Sequence, residues 1–323
     1  MQTYATVKIL ESLGHKVRVI NLVHPKYNKS LLSIFKESRF VFVQTLLFNL
    51  FRKNHIGHFS KKMFGIDNSL IPAADYCVVG SDQVWNRDIT SPIDMSYYLD
   101  FASVPKVSFS SSFGKHTWEN DDAYTQTVKN ALKSFKALSV REESGVKICK
   151  DVFGLGATQL QDPTILLADY DELVKVECVK EQIYPFLLVN NSQTDAICRY
   201  ISLENKLPVY KASTIKSLLS SSPKSWLRRM KESSLIITDS FHGLAFSIIF
   251  NKDFYVLCAN EKKFTRLHSL LKFLSLESRY IRSLDDLKSR NDILSQHIDY
   301  SIINHTLDKE RQKGMDFLIK NLS

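Results

Sequence analysis

LIITDSFHGLAFSIIFNKDFYVL, residues 235–257, is the stretch that decides the fold. An apolar run at 235–238 stops at Asp239, Ser240, Phe241, His242 and Gly243. A compact apolar segment follows, and the turn Asn251-Lys252-Asp253 leads into a second apolar run. This order reads as strand, polar loop, buried helix, strand. In open parallel α/β sheets ligands bind beyond the carboxyl ends of the strands, so Asp239, Ser240 and His242 stand at a candidate site. A helix starting near Gly243 aims its free amide donors at the same crevice, which suits an anionic ligand. The same residues also have a purely structural reading, with Asp239 and Ser240 capping the helix.

Four earlier stretches repeat the pattern of an apolar strand running straight into a polar cluster. Residues 76–79 run into Gly80-Ser81-Asp82-Gln83-Val84-Trp85-Asn86, and 106–109 into Ser110-Ser111-Ser112-Phe113-Gly114. Likewise 137–140 run into Arg141-Glu142-Glu143-Ser144-Gly145, and 158–160 into Gln161-Asp162-Pro163-Thr164. Gly, Ser, Asp and Asn after one strand are ordinary turn formers. Four such clusters in succession line one edge of a parallel sheet. A second αβ block then follows, with strands expected at 184–189, 207–210, 235–238, 254–258 and 280–281 and a helix at 224–230. Residues 165–183 read as a helical connection, and 308–322 as an amphipathic helix. The domain boundaries that result are 1–168, a linker at 169–183, a second domain at 184–304, and a terminal helix at 305–323.

Composition narrows the function classes. The 323 residues are 44% hydrophobic and 24% charged, the balance of a globular protein. Five scattered cysteines without metal-ligand spacing point to reduced thiols and a cytoplasmic location. A formal charge of +9 implies anionic partners, but the basic residues form no block with interleaved aromatics, which argues against nucleic acid. HExxH, CxxC pairs, GxxxxGK[ST], GxGxxG and GxSxG are all missing from the sequence, so metal, P-loop, dinucleotide and serine-hydrolase chemistry have no motif. The apolar run at 40–51 is bracketed by Lys36, Arg39, Arg52, Lys53 and His55. At twelve residues it is too short to span a bilayer, for which about 20 are needed. It is either a packed helix or a peripheral membrane contact at the inner face.

Taken together, GSDQVWN (80–86), YYLDF (97–101), SFSSSFG (108–114), SVREESG (139–145), QDPTILL (161–167), 226–254 and RLHSLLKFLSLESR (266–279) resemble the polysaccharide pyruvyl transferase family. The resemblance implies a GT-B-like α/β fold, with two Rossmann-like domains facing each other across a cleft. It implies phosphoenolpyruvate as donor, with no cofactor, and a sugar or lipid-linked oligosaccharide as acceptor. Members of the family resemble a strand and an Asn-Tyr-Gly-type loop ahead of the first helix. Here Met1-Gln2-Thr3-Tyr4-Ala5 begins after that point, so a first central strand is expected to be missing.

Within that frame the catalytic candidates are His242, Arg141, Asp82 and Asp239. His242 is the choice of general acid or base, because imidazole changes charge near neutral pH, and Asp239 would orient its ring. Arg141 is the expected clamp for the donor's carboxylate and phosphate; the structural alternative is a salt bridge to Glu142 or Asp162. Lys263 and Arg266 are further phosphate candidates. Asp82 and Gln83 are placed to bind sugar hydroxyls, with Trp85 as a stacking face. Asp162 is expected to fix the turn before Pro163. Gly80, Ser81, Asn86, Ser111, Ser112, Phe113, Gly114, Ser240 and Gly243 complete the substrate-binding set. His242→Ala and Arg141→Ala are each expected to abolish phosphate release with the fold intact. The rival readings are a glycosyltransferase using a nucleotide sugar, and an inactive scaffold in a glycan assembly complex.

Overall fold

The computed structural model describes residues 1–28, 35, 38–211, 222–257 and 261–323, with side chains given outside 261–265. The chain divides into two compact units, Met1–Leu167 with Asp308–Ser323, and Ala168–Leu307.

In the first unit β1 (Cys77–Val79), β2 (Lys106–Ser108) and β3 (Phe135–Ala137) form a parallel sheet, and β4 (Ser139–Val140) pairs in parallel with β5 (Thr158–Gln159). Single bridges Asp82↔Ser111 and Ser111↔Val140 carry the pairing past the strand ends into the polar loops. Val107 and Val140 are fully buried, as expected of parallel strands covered on both faces. The helices described in this unit include α1 (Gln2–Ser12), α2 (Arg39–Phe51), α3 (Arg87–Thr90), α4 (Asp122–Lys133), α5 (Glu143–Asp151) and α6 (Pro163–Leu167). Ile9 and Leu10 of α1 join Val107, Phe109, Leu160 and Leu166 in one apolar cluster.

In the second unit β6 (Lys180–Phe186), β7 (Ser233–Thr238), β8 (Asp253–Leu257) and β9 (Tyr280–Ile281) form a parallel sheet in that order. Its helices include α7 (Ser192–Asn205), α8 (Pro223–Glu232), α9 (Phe241–Ile249), α10 (Glu261–Phe273) and α11 (Leu284–Ser289). β7, α9 and β8 are the strand, helix and strand read from 235–257. The last helix, α12 (Tyr300–Asn321), returns its final turns to the first unit, where Leu318 and Leu322 enter the cluster around Ile9 and Val107. Gly314 makes that approach possible, since a Cβ there would lie 2.8 Å from Leu166 Cδ1.

Two expectations are corrected. Residues 165–183 do not form a connecting helix: α6 ends at Leu167, Ala168 adopts φ 63, and β6 begins at Lys180. A left-handed residue cannot continue a right-handed helix, so the segment turns there. Residues 207–210 make only a single bridge, Val209↔Ile183, because Pro208 lacks the N–H that a ladder needs. The extended segment around Val17 likewise contributes isolated bridges, Val19↔Phe59 and Leu22↔Met63, and no ladder strand. Cys258, the end of the expected fourth strand of that domain, lies outside the described residues.

Candidate functional site

The polar loops of the first unit converge on Asp162, at the carboxyl edge of the sheet. Its Oδ1 accepts the Thr164 backbone N–H (3.0 Å) and hydroxyl (2.7 Å), which holds the turn into α6. Its Oδ2 accepts from Gln2 Nε2 (2.9 Å), Ser81 Oγ (2.9 Å) and Arg141 Nη1 (2.6 Å). Arg141 donates its Nε to Glu142 Oε1 (2.9 Å), an oxygen that also accepts from Ser112 Oγ (2.9 Å). Asp162 is fully buried and Arg141 is 4% exposed. Burial alone would lower the pKa of Arg141, but Glu142, Asp162 and Asp82 outweigh it and raise it. Three carboxylates thus face one guanidinium side chain.

Hydroxyls hold the neighbouring strands together beneath this hub. Ser139 Oγ donates to Ser108 O (2.6 Å), and Ser108 Oγ to Ser139 O (3.0 Å). Ser110 Oγ donates to Gln161 O (2.7 Å), and Ser111 Oγ to Gly80 O (3.1 Å). Asp82 and Ser110 both sit at positive φ, 82 and 56. Non-glycine residues in this region cost about 1–3 kcal/mol each and persist only where the surroundings over-determine them, as at binding sites.

Several residues expected on the substrate are packed inside the first unit. Trp85 is 2% exposed, lies flat on Tyr98 at 5.6 Å, and donates Nε1 to Tyr97 O (3.0 Å), so it has no face for a sugar. Phe113 is buried against Trp85, Trp118 and Phe153. Asn86 caps α3 and donates Nδ2 to Gln83 Oε1 (2.9 Å). Gly114, at φ 67, lets Gln83 pass, because a Cβ there would lie 2.2 Å from Gln83 Oε1. Ser111 and Ser112 are fully buried in the hydroxyl lattice. Half of GSDQVWN is therefore the scaffold that forces Asp82 into place, while Gly80, Ser81 and Asp82 hold the loop edge. Arg141, with two of its nitrogens given to carboxylates, is a keystone of this hub. Its truncation is accordingly expected to cost stability as well as activity. Gln2 was assigned no role from sequence, and only the folded chain brings it to Asp162.

In the second unit the edge is built differently. Asp239 Oδ1 accepts Leu188 N–H (2.6 Å) and Oδ2 accepts Val189 N–H (2.9 Å), clasping the chain beyond β6 to the end of β7. Ser240 is the N-cap of α9 without a side-chain cap bond, and its own N–H goes to Thr238 Oγ1 (3.1 Å). His242 stands in the first turn of α9, half-buried, edge-on to Phe241 at 5.6 Å, with Nε2 screened from solvent. Gly243 is required by packing: a Cβ there would lie 2.0 Å from Thr238 Oγ1 and 2.9 Å from Phe186 Cδ1. Arg266 is half-buried on α10, and the side chain of Lys263 lies outside the described residues. No group of three or more His, Cys, Asp or Glu that could hold a metal occurs among the described residues.

Parallel sheets with polar loops gathered beyond their strands define an α/β protein. A profile of the polysaccharide pyruvyl transferase family matches residues 1–257, and the chain belongs to that family of transferases. Among solved structures, a functionally uncharacterised protein from Klebsiella pneumoniae subsp. pneumoniae NTUH-K2044 is similar at 11% identity and a TM-score of 0.46. The match covers 86% of this chain and 97% of the other. No curated protein matches the sequence.

Proposed function

We propose that this chain moves the pyruvyl group of phosphoenolpyruvate onto two hydroxyls of a sugar in a polysaccharide or its lipid-linked precursor, forming a ketal and releasing phosphate. The observation that carries this reading is the Asp162–Arg141–Glu142 hub with Asp82 held beside it at positive φ. An edge with three carboxylates around one guanidinium repels a donor that carries a carboxylate and a phosphate, and it accepts hydrogen bonds from sugar hydroxyls. The acceptor role therefore stays with Asp82, joined by Ser81, and the donor role passes from Arg141 to the first turn of α9, where the helix terminus favours an anion. Arg266 and Lys263 are the cations assigned to the donor there.

In this reading His242 protonates the methylene carbon of the donor and C2 becomes electrophilic. A sugar hydroxyl adds at C2 and gives up its proton to a carboxylate; the phosphate leaves, and the second hydroxyl closes the ketal with loss of its own proton. Asp82 is the proposed acceptor of a hydroxyl proton. The GT-B arrangement of the two units and a membrane-side, cytoplasmic placement belong to the same proposal.

The test is incubation with phosphoenolpyruvate and candidate lipid-linked sugars, read by released phosphate and by mass spectrometry for a gained pyruvyl group. Thermal stabilisation by a nucleotide sugar, with no phosphate released, would replace this reading by glycosyl transfer. Asp82→Gly separates role from scaffold. Glycine relieves the positive φ, so the melting temperature should hold or rise while turnover falls at least a hundredfold. Turnover within threefold of wild type removes Asp82 from the chemistry.

A further inference from the structure

Helix α2 has the wrong surface for its surroundings. Of its thirteen residues, RFVFVQTLLFNLF, only Arg39, Gln44, Thr45 and Asn49 are polar, and Thr45 returns its hydroxyl to Val41 O (2.8 Å). A helix apolar all round is normally buried, yet here only Phe51 is. Phe40, Val41, Phe48 and Leu50 are 44%, 45%, 42% and 53% exposed. That patch calls for a partner.

The charge of the segment says which partner. Residues 39–66 contain Arg39, Arg52, Lys53, Lys61 and Lys62, with His55 and His58, and not one Asp or Glu. At the carboxyl end of α2 a hollow of about 320 Å³ is lined by Asn21, Asn49, Arg52, Lys53, His58 and Phe59. Arg52 is held ready there, donating Nη2 to Asn21 Oδ1 (2.7 Å) with its guanidinium 4.4 Å over the Phe59 ring. Thirteen residues rise about 20 Å, short of the roughly 30 Å hydrocarbon core, so the helix cannot span. No helix among the described residues is long and apolar enough to cross a membrane.

We propose that α2 and the basic segment after it are an interfacial anchor for an anionic lipid bilayer, with the apolar side chains in the acyl boundary and the Arg52–Lys53 hollow on a headgroup phosphate. Apolar burial supplies the depth and the unopposed cations supply the preference for negative lipid. A protein partner or a second copy of the chain would not call for five cations between Glu37 and Asp67 with no acid among them.

The test pellets the full chain with vesicles of phosphatidylglycerol and phosphatidylcholine, and separately with phosphatidylcholine alone. Binding is expected to the anionic vesicles, with loss at high salt and little binding to the neutral ones. Phe48→Glu should lower the partition coefficient at least tenfold, and Lys53→Gln about fivefold. Should Phe48→Glu fail to fold, Leu50→Gln makes the same test at the most exposed position. Absence of wild-type binding, or equal partition of wild type and variants, overturns the proposal. So does a dimer that Phe48→Glu converts to monomer without any vesicle binding, which would assign the face to a second copy. Vesicle binding needs no donor, so its failure is distinct from a failure to release phosphate from phosphoenolpyruvate.

Discussion

Arg141 carries a large energetic stake. It is buried, and it neutralises Asp162 at 2.6 Å and Glu142 at 2.9 Å. Removing one partner of a buried pair strands the other charge, at about 3–5 kcal/mol. Arg141→Ala is therefore expected to lower unfolding free energy by that amount in urea titration, and its loss of turnover would not by itself prove catalysis. At the same scale the thiols make a pH prediction. Burial pushes Cys149 from an ordinary 9.0 up to about 12 and Cys198 up to about 11. Because the folded state disfavours the thiolate, the stability this contributes is complete below about pH 9 and is lost as pH rises through the folded values. At pH 8 iodoacetamide should modify the exposed Cys178 and leave Cys149 and Cys198 intact until denaturant is added, as counted by intact mass.

At the scale of elements, α9 is fixed by what lies beneath it. Its first turn carries His242, and its third residue, Gly243, rests on Thr238 and Phe186. Thr238 is itself committed, donating Oγ1 to Phe186 O (2.7 Å), so it cannot swing aside cheaply. Gly243→Ala is expected to cost about 1–3 kcal/mol by overpacking and to move His242 with the helix. Unfolding should shift to lower denaturant while turnover falls further than stability accounts for. Unchanged stability would mean that β7 and α9 pack less closely than these distances imply.

At the scale of the whole molecule, the chain end is part of the first unit's core. Leu318 and Leu322 pack with Ile9, Leu10, Val107 and Phe109, and Arg311 Nε donates to Ile165 O (3.2 Å). Ending the chain at Leu307 uncovers that cluster. Each large buried side chain lost costs about 2–5 kcal/mol, so two or three equal the stability of an ordinary domain. The truncated protein is expected to be insoluble or to bind a hydrophobic dye strongly. A truncated chain that melts cooperatively near the wild-type temperature would show that the first unit closes without α12.

Local periodicity alone determined that residues 235–257 run strand, loop, helix, strand, because the side-chain period and the Asp-Ser-Phe-His-Gly break are written in consecutive residues. It also placed polar loops after β1, β2, β4 and β5, and the combined motifs established the family. Which of those loop residues touch one another was decided only by the tertiary structure. Gln2 and Asp162 are 160 positions apart and meet because α1 packs against α6. Trp85 and Phe113 read from sequence as binding residues, since an aromatic beside a polar motif looks the same whether it faces solvent or core; burial settled that they are core. Arg141 read from sequence either as an anion clamp or as a salt-bridge partner of Glu142 or Asp162, and only the fold showed that it engages both carboxylates. For α2 the apolar run was plain in the residues, and only the structure showed that Phe40, Val41, Phe48 and Leu50 stay exposed.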